Sequence, residues 1–320
     1  MLEGNPIILF KITLITLVVI LFIRLFARKM PEQLHRVTPA HLPSNRKLGQ
    51  YLVMETVGVG GNATVYRAMS VDKETVAIKV PHLETLRVKG FRKVFKAEAS
   101  VGVDLMHPSI VKVYGTGEFK DAGGQKIPFF IMENLEGEDL REILKREGTL
   151  EPKRAAQIAR VVADTLGWAH RKGVIHRDIS PQNIFVTNSK QIKVMDFGIA
   201  TAFKRGTSKG KDGGALNFGT PAYLAPERTS RTDSDPRSDL YSLGCVLYEM
   251  VTGQPPFTAE SPRAVLMLHR KAHVVPPSKR AEVPAPLEAI IMKLLEKDPE
   301  KRYQDAGAVT AALADLLPAV

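Results

Sequence analysis

The stretch "VIHRDISPQNIFV", Val174–Val186, decides how this 320-residue chain is interpreted. It places Asn183 five residues after Asp178, between apolar flanks. A second aspartate, Asp196, follows in "MDFG", Met195–Gly198. An Asp that accepts a hydroxyl proton, together with an Asn and an Asp that hold Mg²⁺, is the set of groups that phosphoryl transfer requires. Each motif alone fits an ordinary surface turn, but their order and spacing favour a phosphotransfer site.

A glycine-rich segment, "VGVGGNATV" at Val57–Val65, lies between the first two predicted strands. Gly58 and Gly60 allow the backbone to approach an anion closely, because no Cβ intervenes. Taken alone, the segment fits a plain hairpin equally well. A dinucleotide-binding turn of the Rossmann type is disfavoured, because the strand "ATVYRA" follows where that fold needs a helix.

A lysine with apolar neighbours, Lys79, ends the motif "VAIK" at Val76–Lys79. Its backbone is expected to lie in a covered sheet. An inward lysine there needs a carboxylate partner, since an unpaired buried charge is very costly. Glu98, in the middle of a predicted helix, is the best candidate.

From residue 48 onward, the pattern predicts a strand-rich part followed by a helix-rich part. Tyr51–Val80 indicates three antiparallel strands separated by glycines and by an Asp-Lys turn. The later strand candidates are Ile110–Phe119 and Pro128–Leu135. The predicted helices are Gly90–Met106, Glu138–Glu147, Pro152–Lys172, Asp239–Thr252, Ser261–Lys271 and Leu287–Glu296. This order predicts an α+β protein with two lobes.

Together these motifs resemble those of Ser/Thr protein kinases of the compact, eukaryotic-like kind found in bacteria. The resemblance covers residues 48 to about 316. It implies a two-lobed protein kinase fold over 48–318, with a small β-rich N-lobe (about 48–133) that has one main helix, and a larger α-helical C-lobe (about 137–316). It also implies an enzyme that transfers the γ-phosphate of ATP to Ser or Thr hydroxyls of proteins, with ATP and Mg²⁺ as cofactors and Mn²⁺ as an alternative metal.

The resemblance assigns catalytic roles by position. Asp178 is expected to be the base and Lys79 to contact the α- and β-phosphates while pairing with Glu98. Asn183 and Asp196 are the implied metal ligands. Thr220, in "GTPAYLAPE", is expected to bond Asp178 in the manner of Ser/Thr-specific kinases.

Further roles concern the nucleotide and the scaffold of the site. Met132 is the expected gatekeeper. The residues implied to contact the nucleotide are Val57, Gly58, Gly60, Val65, Ala77, Lys79, Glu133, Leu135 and Phe185. Glu227 is expected to pair with Arg302 of "DPEKRY", and Asp239 to brace the catalytic loop.

Two positions depart from the family pattern. The resemblance implies that Val57–Val65 forms a lid over the ATP phosphates, the phosphate lid. Ala63 replaces the third glycine of this lid, a tolerable change where φ is negative. Ser180 replaces a lysine that in the family touches the transferred phosphate and the substrate oxygen. Serine carries no charge, and losing one stabilising donor costs on the order of 10²–10³ in rate. The compensating charge could come from Lys204, Lys209 or Lys211, and some kinases that this chain resembles also carry Asp-x-Ser-Pro.

The segment Asp196–Glu227 holds candidate phosphorylation sites. Arg177, before the catalytic Asp, usually accompanies activation by phosphorylation through new Arg–phosphate pairs. No Ser or Thr lies between Lys209 and Gly219. The candidates therefore are Thr207, Ser208 and Thr201. A permanent negative charge from Asp212, or a plainly solvated loop, stays open as an alternative.

An apolar segment near the N-terminus, Ile7–Phe26, predicts a transmembrane helix. Its 20 residues carry charges only at Lys11 and Arg24, and as a helix they span about 30 Å. A cleaved signal peptide is disfavoured, because no small-x-small site follows. The basic residues after the segment are Arg28, Lys29 and Arg36. They predict a single-pass protein of the cytoplasmic membrane whose bulk faces the cytoplasm, joined by a basic juxtamembrane linker, residues 27–47, along the lipid surface.

The distribution of charge indicates the kind of binding partner, and the cysteine count excludes an intrachain disulfide. The net charge is +11, and residues 1–47, with seven Lys or Arg against two Asp or Glu, supply +5 of it. This distribution favours a membrane surface over nucleic acid, for which no motif is present. Cys245 is the single cysteine, so no intrachain disulfide forms, and its apolar surroundings predict a small buried hydrophobe. A dimer that phosphorylates itself in trans is compatible with the sequence, although no G-x-x-x-G motif supports it.

Three hypotheses follow from these observations. The first is an active, membrane-anchored Ser/Thr kinase that acts in signalling and phosphorylates itself. The second, prompted by Ser180, is a pseudokinase that binds ATP or acts as a scaffold for a membrane partner. The third is a small-molecule phosphotransferase, which the "GTPAYLAPE" and Arg302 elements disfavour. The sequence names neither the protein substrate nor the input signal.

Overall fold

A six-stranded antiparallel sheet forms the N-terminal lobe. The structure is a computed structural model that describes residues 42, 44–88, 90–197, 220–229 and 235–317. The strands are β1 (Lys47–Leu48), β2 (Tyr51–Val59), β3 (Ala63–Met69), β4 (Thr75–Pro81), β5 (Val113–Lys120) and β6 (Lys126–Glu133), in the spatial order β1-β2-β3-β4-β6-β5. The three predicted strands within 51–80 are thus present as an antiparallel meander.

The core of this lobe comes from alternate positions of β3 and β4. Tyr66 and Ala68 of β3 and Ile78 and Val80 of β4 are fully buried. Residues two apart share one face of a strand, so this alternation packs one side of the sheet. The distal half of β2 is exposed, which leaves its hairpin with β3 projecting from the core.

Two helices, α1 (Leu83–Arg87) and α2 (Phe91–Asp104), follow β4. Helix α2 lies within the predicted range Gly90–Met106 and packs against β5 and β6. Its Phe95 ring sits 5.0 Å, centroid to centroid, from Phe130 of β6, and Ala99 is buried one turn later. The helix is therefore fixed to the sheet by its apolar face.

The C-terminal lobe is mainly helical. Its helices are α3 (Leu140–Glu147), α4 (Pro152–Arg171), α5 (Arg237–Thr252), α6 (Pro262–Lys271), α7 (Ala285–Leu294) and α8 (Ala306–Ala314). A three-stranded sheet, β7 (Gly137–Asp139), β8 (Ile184–Thr187) and β9 (Ile192–Val194), lies beside them. This strand-rich lobe followed by a helical one confirms the predicted two-lobed fold.

Helix α5 runs through the centre of the C-lobe, and nearly all of its residues are buried. Cys245 lies in it with no exposed surface, as predicted, and burial raises the pKa of its thiol. Gly244 is required beside it, because a Cβ there would come within 2.7 Å of the Cβ of Leu294 on α7.

The structure corrects the predicted start of one helix. The helix expected from Glu138 begins at Leu140, because Gly137–Asp139 pairs with β8 instead. Asp139 then caps the helix, its Oδ1 accepting from the backbone N of Glu142 at 3.0 Å.

The predicted membrane segment, Ile7–Phe26, lies outside the described residues. Within the described ranges, no helix is both long and apolar enough to cross a bilayer.

Candidate active site

The predicted base, Asp178, lies between α4 and β8 with both carboxylate oxygens hydrogen-bonded. The backbone N–H of Thr220 donates to Oδ1 at 3.0 Å, and Nδ2 of Asn183 donates to Oδ2 at 3.2 Å. Asn183 Nδ2 also donates to the carbonyl of Asp178 at 2.7 Å. Burial raises the pKa of Asp178, against the lowering effects of His176 and of the Thr220 N–H. The carboxylate is therefore held in one orientation in a site that increases its basicity.

Lys79, from β4, is brought together with two carboxylates. Its Nζ lies 3.1 Å from Oε1 of Glu98 on α2 and 2.6 Å from Oδ1 of Asp196, which follows β9. Burial lowers the pKa of Lys79, but the charges of Asp196 and Glu98 outweigh it and raise the pKa above its ordinary value. Burial raises the pKa of Glu98 to about 7, against the effect of Lys79. Lys79 is thus a positively charged side chain, held in place by two carboxylates, that can bind an anion.

Asn183 and Asp196 present oxygen atoms suited to a divalent cation. Within the described residues, both hydrogen bonds of the Asn183 amide use Nδ2, which leaves its Oδ1 for a ligand. Asp196 contacts Lys79 through Oδ1 at 2.6 Å. No cluster of three or more Asp, Glu, His or Cys occurs in the part of the chain that the structure describes. Such a two-residue oxygen set suits Mg²⁺, which keeps waters and substrate phosphates in its shell.

The backbone at the site is strained, and a buried aspartate, Asp239, holds part of it in place. Arg177 and Asp196 have φ values of 70° and 60°, in the left-handed region that costs on the order of 1–3 kcal/mol. Asp239 of α5 accepts from the backbone N–H of Arg177 at 2.7 Å and of His176 at 2.8 Å. Burial raises the pKa of Asp239, but the hydrogen bond and charge of His170 outweigh it and lower the pKa overall. The charged Asp239 thus holds the catalytic loop.

A cavity of about 590 Å³ opens between the lobes. Its lining includes Val57, Leu135 and Phe185, three of the predicted nucleotide contacts. The other six lie in the N-lobe: Gly58 in β2, Gly60 in the β2–β3 turn, Val65 in β3, Ala77 and Lys79 in β4, and Glu133 at the end of β6. The volume lies in the range of small-molecule sites.

The segment that joins the lobes is tied to the C-lobe by an ion pair that the sequence did not indicate. Both carboxylate oxygens of Glu133 lie 2.9 Å from Nζ of Lys193 on β9. The backbone N–H of Glu133 donates to the carbonyl of Lys112 at 2.9 Å. The backbone N–H of Glu133 is therefore already used within the protein. Met132, the predicted gatekeeper, precedes it and pairs with Ala77 across the sheet.

The predicted phosphate lid is held in place by His82, a residue that the sequence did not single out. His82, fully buried after β4, has its Nε2 3.0 Å from Oγ1 of Thr64. Its backbone N–H donates to the carbonyl of Asn62 at 2.9 Å. Gly60 closes the turn itself, donating to the carbonyl of Ala63 at 2.9 Å. Ala63 lies at the start of β3 without a positive φ, so the alanine is accommodated there without strain.

Ser180 carries no charge that could replace that of the family lysine. The residue is fully buried, and within the described residues its Oγ has no hydrogen-bond partner. The lysines considered as replacements, Lys204, Lys209 and Lys211, lie outside the described residues, as do the candidate phosphorylation sites Thr201, Thr207 and Ser208. Asp212 also lies outside.

The end of the segment Asp196–Glu227, at Glu227, is anchored by a largely buried ion pair. Arg302 donates from Nη1 to Oε1 and from Nη2 to Oε2 of Glu227, both at 2.8 Å. Arg302 has no exposed side-chain surface. The hydroxyl of Ser238 donates to Oε1 of Glu227 at 2.7 Å. This bidentate pair fixes the segment that begins at Thr220 onto the C-lobe.

Comparison with known proteins agrees with this geometry. Residues 51–314 match the protein kinase domain family. The serine/threonine-protein kinase PknB of Mycobacterium tuberculosis is 41% identical over 278 residues, which cover 86% of this chain and 43% of that protein. The PknB of Mycobacterium leprae is 40% identical with the same coverage. A probable serine/threonine-protein kinase of Corynebacterium efficiens, CE0033, is 39% identical over 82% of this chain and 41% of its own length.

The chain spans about two fifths of the length of these curated relatives. The match nevertheless includes every element of the site described above, from the β2–β3 lid to Arg302. The chain therefore belongs to the protein kinase family, in which it is a Ser/Thr kinase of the bacterial, eukaryotic-like type.

Proposed function

We propose that this protein is an active, membrane-anchored kinase that transfers the γ-phosphate of ATP to Ser and Thr hydroxyls of proteins, including its own. One observation carries the proposal. Both oxygens of Asp178 are hydrogen-bonded, by Thr220 and Asn183, while Lys79 is charged and paired with Glu98 and Asp196. Buried charges cost free energy of folding, so an inactive site is not expected to retain this whole set of groups.

The residues support one balanced reaction. Asp178 accepts the proton of the attacking hydroxyl as the new bond between that oxygen and the γ-phosphorus forms. The bond from the γ-phosphorus to the β–γ bridging oxygen breaks, and ADP leaves with that electron pair. Lys79 neutralises charge on the α- and β-phosphates. The products are a phosphorylated hydroxyl and ADP.

Asn183 and Asp196 would hold the divalent cation through their side-chain oxygens. We assign Mg²⁺ to this position, because both ligands are hard oxygen donors and phosphates complete the shell. When bound, the cation neutralises phosphate charge. Asp196 would contribute its carboxylate to the cation, and Lys79, whose Nζ lies 2.6 Å from that carboxylate, would bind the nucleotide phosphates beside it.

A protein substrate is supported by the segment after Thr220. Arg302 and Glu227 fix this segment beside Asp178, which gives a rigid platform for an extended peptide. Thr220 places a hydroxyl 3.5 Å from Oδ1 of Asp178, at the side where a Ser or Thr would enter. A small-molecule phosphotransferase would not need such a platform.

The anchor rests on the sequence of Ile7–Phe26 and the basic residues after it. An uninterrupted run of this length and apolarity spans a bilayer as one helix. The basic juxtamembrane linker, 27–47, then places the kinase domain at the cytoplasmic surface. A carbonate wash of membranes from expressing cells tests this, since an integral protein stays in the pellet and a peripheral one is released.

A pseudokinase is the second candidate, and Ser180 is the observation that favours it. The enclosed Ser180 hydroxyl supplies neither charge nor, within the described residues, a hydrogen bond. In this case the site would bind ATP and transfer nothing.

Transfer from ATP separates the two candidates. The full chain, purified in mild detergent, is incubated with labelled ATP, Mg²⁺ and a generic basic protein. We expect label on the kinase and on the protein as phosphoserine or phosphothreonine. Asp178→Asn is the control, and no transfer above it would contradict the proposal. Nucleotide binding without transfer would establish the pseudokinase.

A further inference from the structure

Gln182, a glutamine of the catalytic loop, contacts Thr220, which in turn contacts the base Asp178. Nε2 of Gln182 donates to Oγ1 of Thr220 at 3.2 Å. Thr220 in turn donates to Oδ1 of Asp178, at 3.0 Å from its backbone N–H and 3.5 Å from its hydroxyl. Gln182 and Thr220 are 38 residues apart, so only the fold brings them together.

The direction of these bonds orients the hydroxyl. Because the Gln182 amide donates to Oγ1, it occupies an acceptor position of the oxygen, and the hydroxyl proton is left to point at Asp178. Bonds that share one atom in this way strengthen one another in a low-dielectric site. Without Gln182 the hydroxyl could rotate away.

The neighbouring Ser180 does not provide this support. It is fully buried, and within the described residues its Oγ makes no hydrogen bond. Gln182, two positions later, starts from the same loop, and its partly exposed side chain reaches Thr220. Within the short turn Pro181–Asn183, Asn183 donates directly to Asp178, whereas Gln182 reaches Asp178 only through Thr220.

We propose that Gln182 is a positioning residue for phosphoryl transfer, which acts through Thr220 to hold the base Asp178 where the substrate hydroxyl enters. This role rests on the proposed function. The side-chain contact of Gln182 is with Thr220, which is not among the residues expected to bind the nucleotide. Gln182 is therefore expected to affect the chemical step and to leave nucleotide affinity alone.

The first test is the steady-state kinetics of Gln182→Ala in the full chain. Losing one neutral hydrogen bond, at about 1 kcal/mol, lowers kcat about fivefold to tenfold. KM for ATP should stay within about twofold, because the lid and Lys79 are unchanged. Gln191→Ala, an exposed glutamine in the β8–β9 turn, is the matched control and should leave both constants unchanged.

The second test is a double-mutant cycle with Thr220→Val, which removes the hydroxyl but keeps the backbone N–H. If Gln182 acts through that hydroxyl, Gln182→Ala should lower kcat less than about twofold further in the Thr220→Val enzyme. Thermal midpoints measured beside the kinetics identify any variant whose loss comes from unfolding.

The outcomes are distinct. An unchanged kcat in Gln182→Ala, an equal rise in KM for ATP, or the same fold-loss in both backgrounds would overturn the role of Gln182 while leaving the kinase activity established. No transfer by the unmodified chain above the Asp178→Asn control would overturn the proposed function and this role with it.

Discussion

Replacing Arg302 with methionine should destabilise the kinase domain strongly. The substitution keeps an apolar stem of similar length but leaves the largely buried Glu227 carboxylate, whose side chain is 17% exposed, without its bidentate partner. Removing one partner of a buried ion pair costs about 3–5 kcal/mol. Arg302 also donates to the carbonyls of Glu296, Arg237 and Lys297, which would lose their donor. We therefore expect a loss near the upper end of that range.

The expected shift of the thermal midpoint follows from the size of the domain. Unfolding entropy of about 2.1 cal/mol/K per residue gives, for residues 51–314, roughly 0.55 kcal/mol/K. A loss of about 3–5 kcal/mol then lowers Tm by about 5–9 °C. Circular dichroism during urea and thermal unfolding at pH 7 measures both quantities.

Two controls test the reasoning behind that value. Arg270→Met, at an exposed arginine of α6, should change stability by less than about 0.5 kcal/mol. In a cycle with Glu227→Gln, the double variant should be less destabilised than the sum of the single ones, because no unpaired carboxylate remains. A cost for Arg302→Met below about 1 kcal/mol, or strict additivity, would refute the argument.

Acid should weaken the same ion pair. Burial raises the pKa of Glu227, but the hydrogen bond and charge of Arg302 outweigh it and hold the pKa below its ordinary value. A carboxylate with a lowered pKa stabilises the fold fully above its unfolded pKa, and this contribution is lost as pH falls through the folded pKa. The Arg302→Met variant should therefore lose less stability than the wild type on acidification below about pH 4.5.

Three further perturbations test other parts of the structure. Burial lowers the pKa of His269 to about 4 from 6.5, so the free energy of unfolding of the wild type should fall by about 2 kcal/mol between pH 7.5 and 5. In His269→Asn, the free energy of unfolding measured in urea should depend less on pH. His82→Phe removes the bond to Thr64 that holds the lid; KM for ATP should rise about fivefold with kcat nearly unchanged, and Thr64→Val should match it. Glu98→Gln weakens a charge-assisted bond to Lys79 and should lower kcat/KM for ATP about tenfold to hundredfold; an unchanged value would show that Asp196 alone positions the lysine.

Much of the fold followed from short-range pattern. Strands β2, β3 and β4 and helix α2 lie where alternation and helical spacing predicted them, because their apolar faces are the ones that pack. Helix α8 was missed, since its alanine-rich sequence has little amphipathic contrast and its start depends on the cap Asp305. Helix α1, at five residues, is too short to show a period.

The catalytic residues were predicted because each belongs to a motif with fixed spacing. Asp178 and Asn183 are five residues apart, and Lys79 called for a carboxylate that proved to lie 3.1 Å away in Glu98. The contacts of His82 and Gln182 could not be predicted in the same way. Each depends on two segments that meet only in the folded chain, and both residue types are common on surfaces.

The rate of phosphate transfer in a single turnover tests the central claim most directly. The full chain in excess over labelled ATP, with Mg²⁺ and a protein acceptor, is quenched in acid, and the phosphorylated residue is identified. We predict transfer to Ser or Thr that exceeds the Asp178→Asn rate by at least about 10³-fold, since the base, Lys79 and the metal ligands are all in place. Transfer at the rate of that variant, by a protein that still binds ATP, would contradict the account.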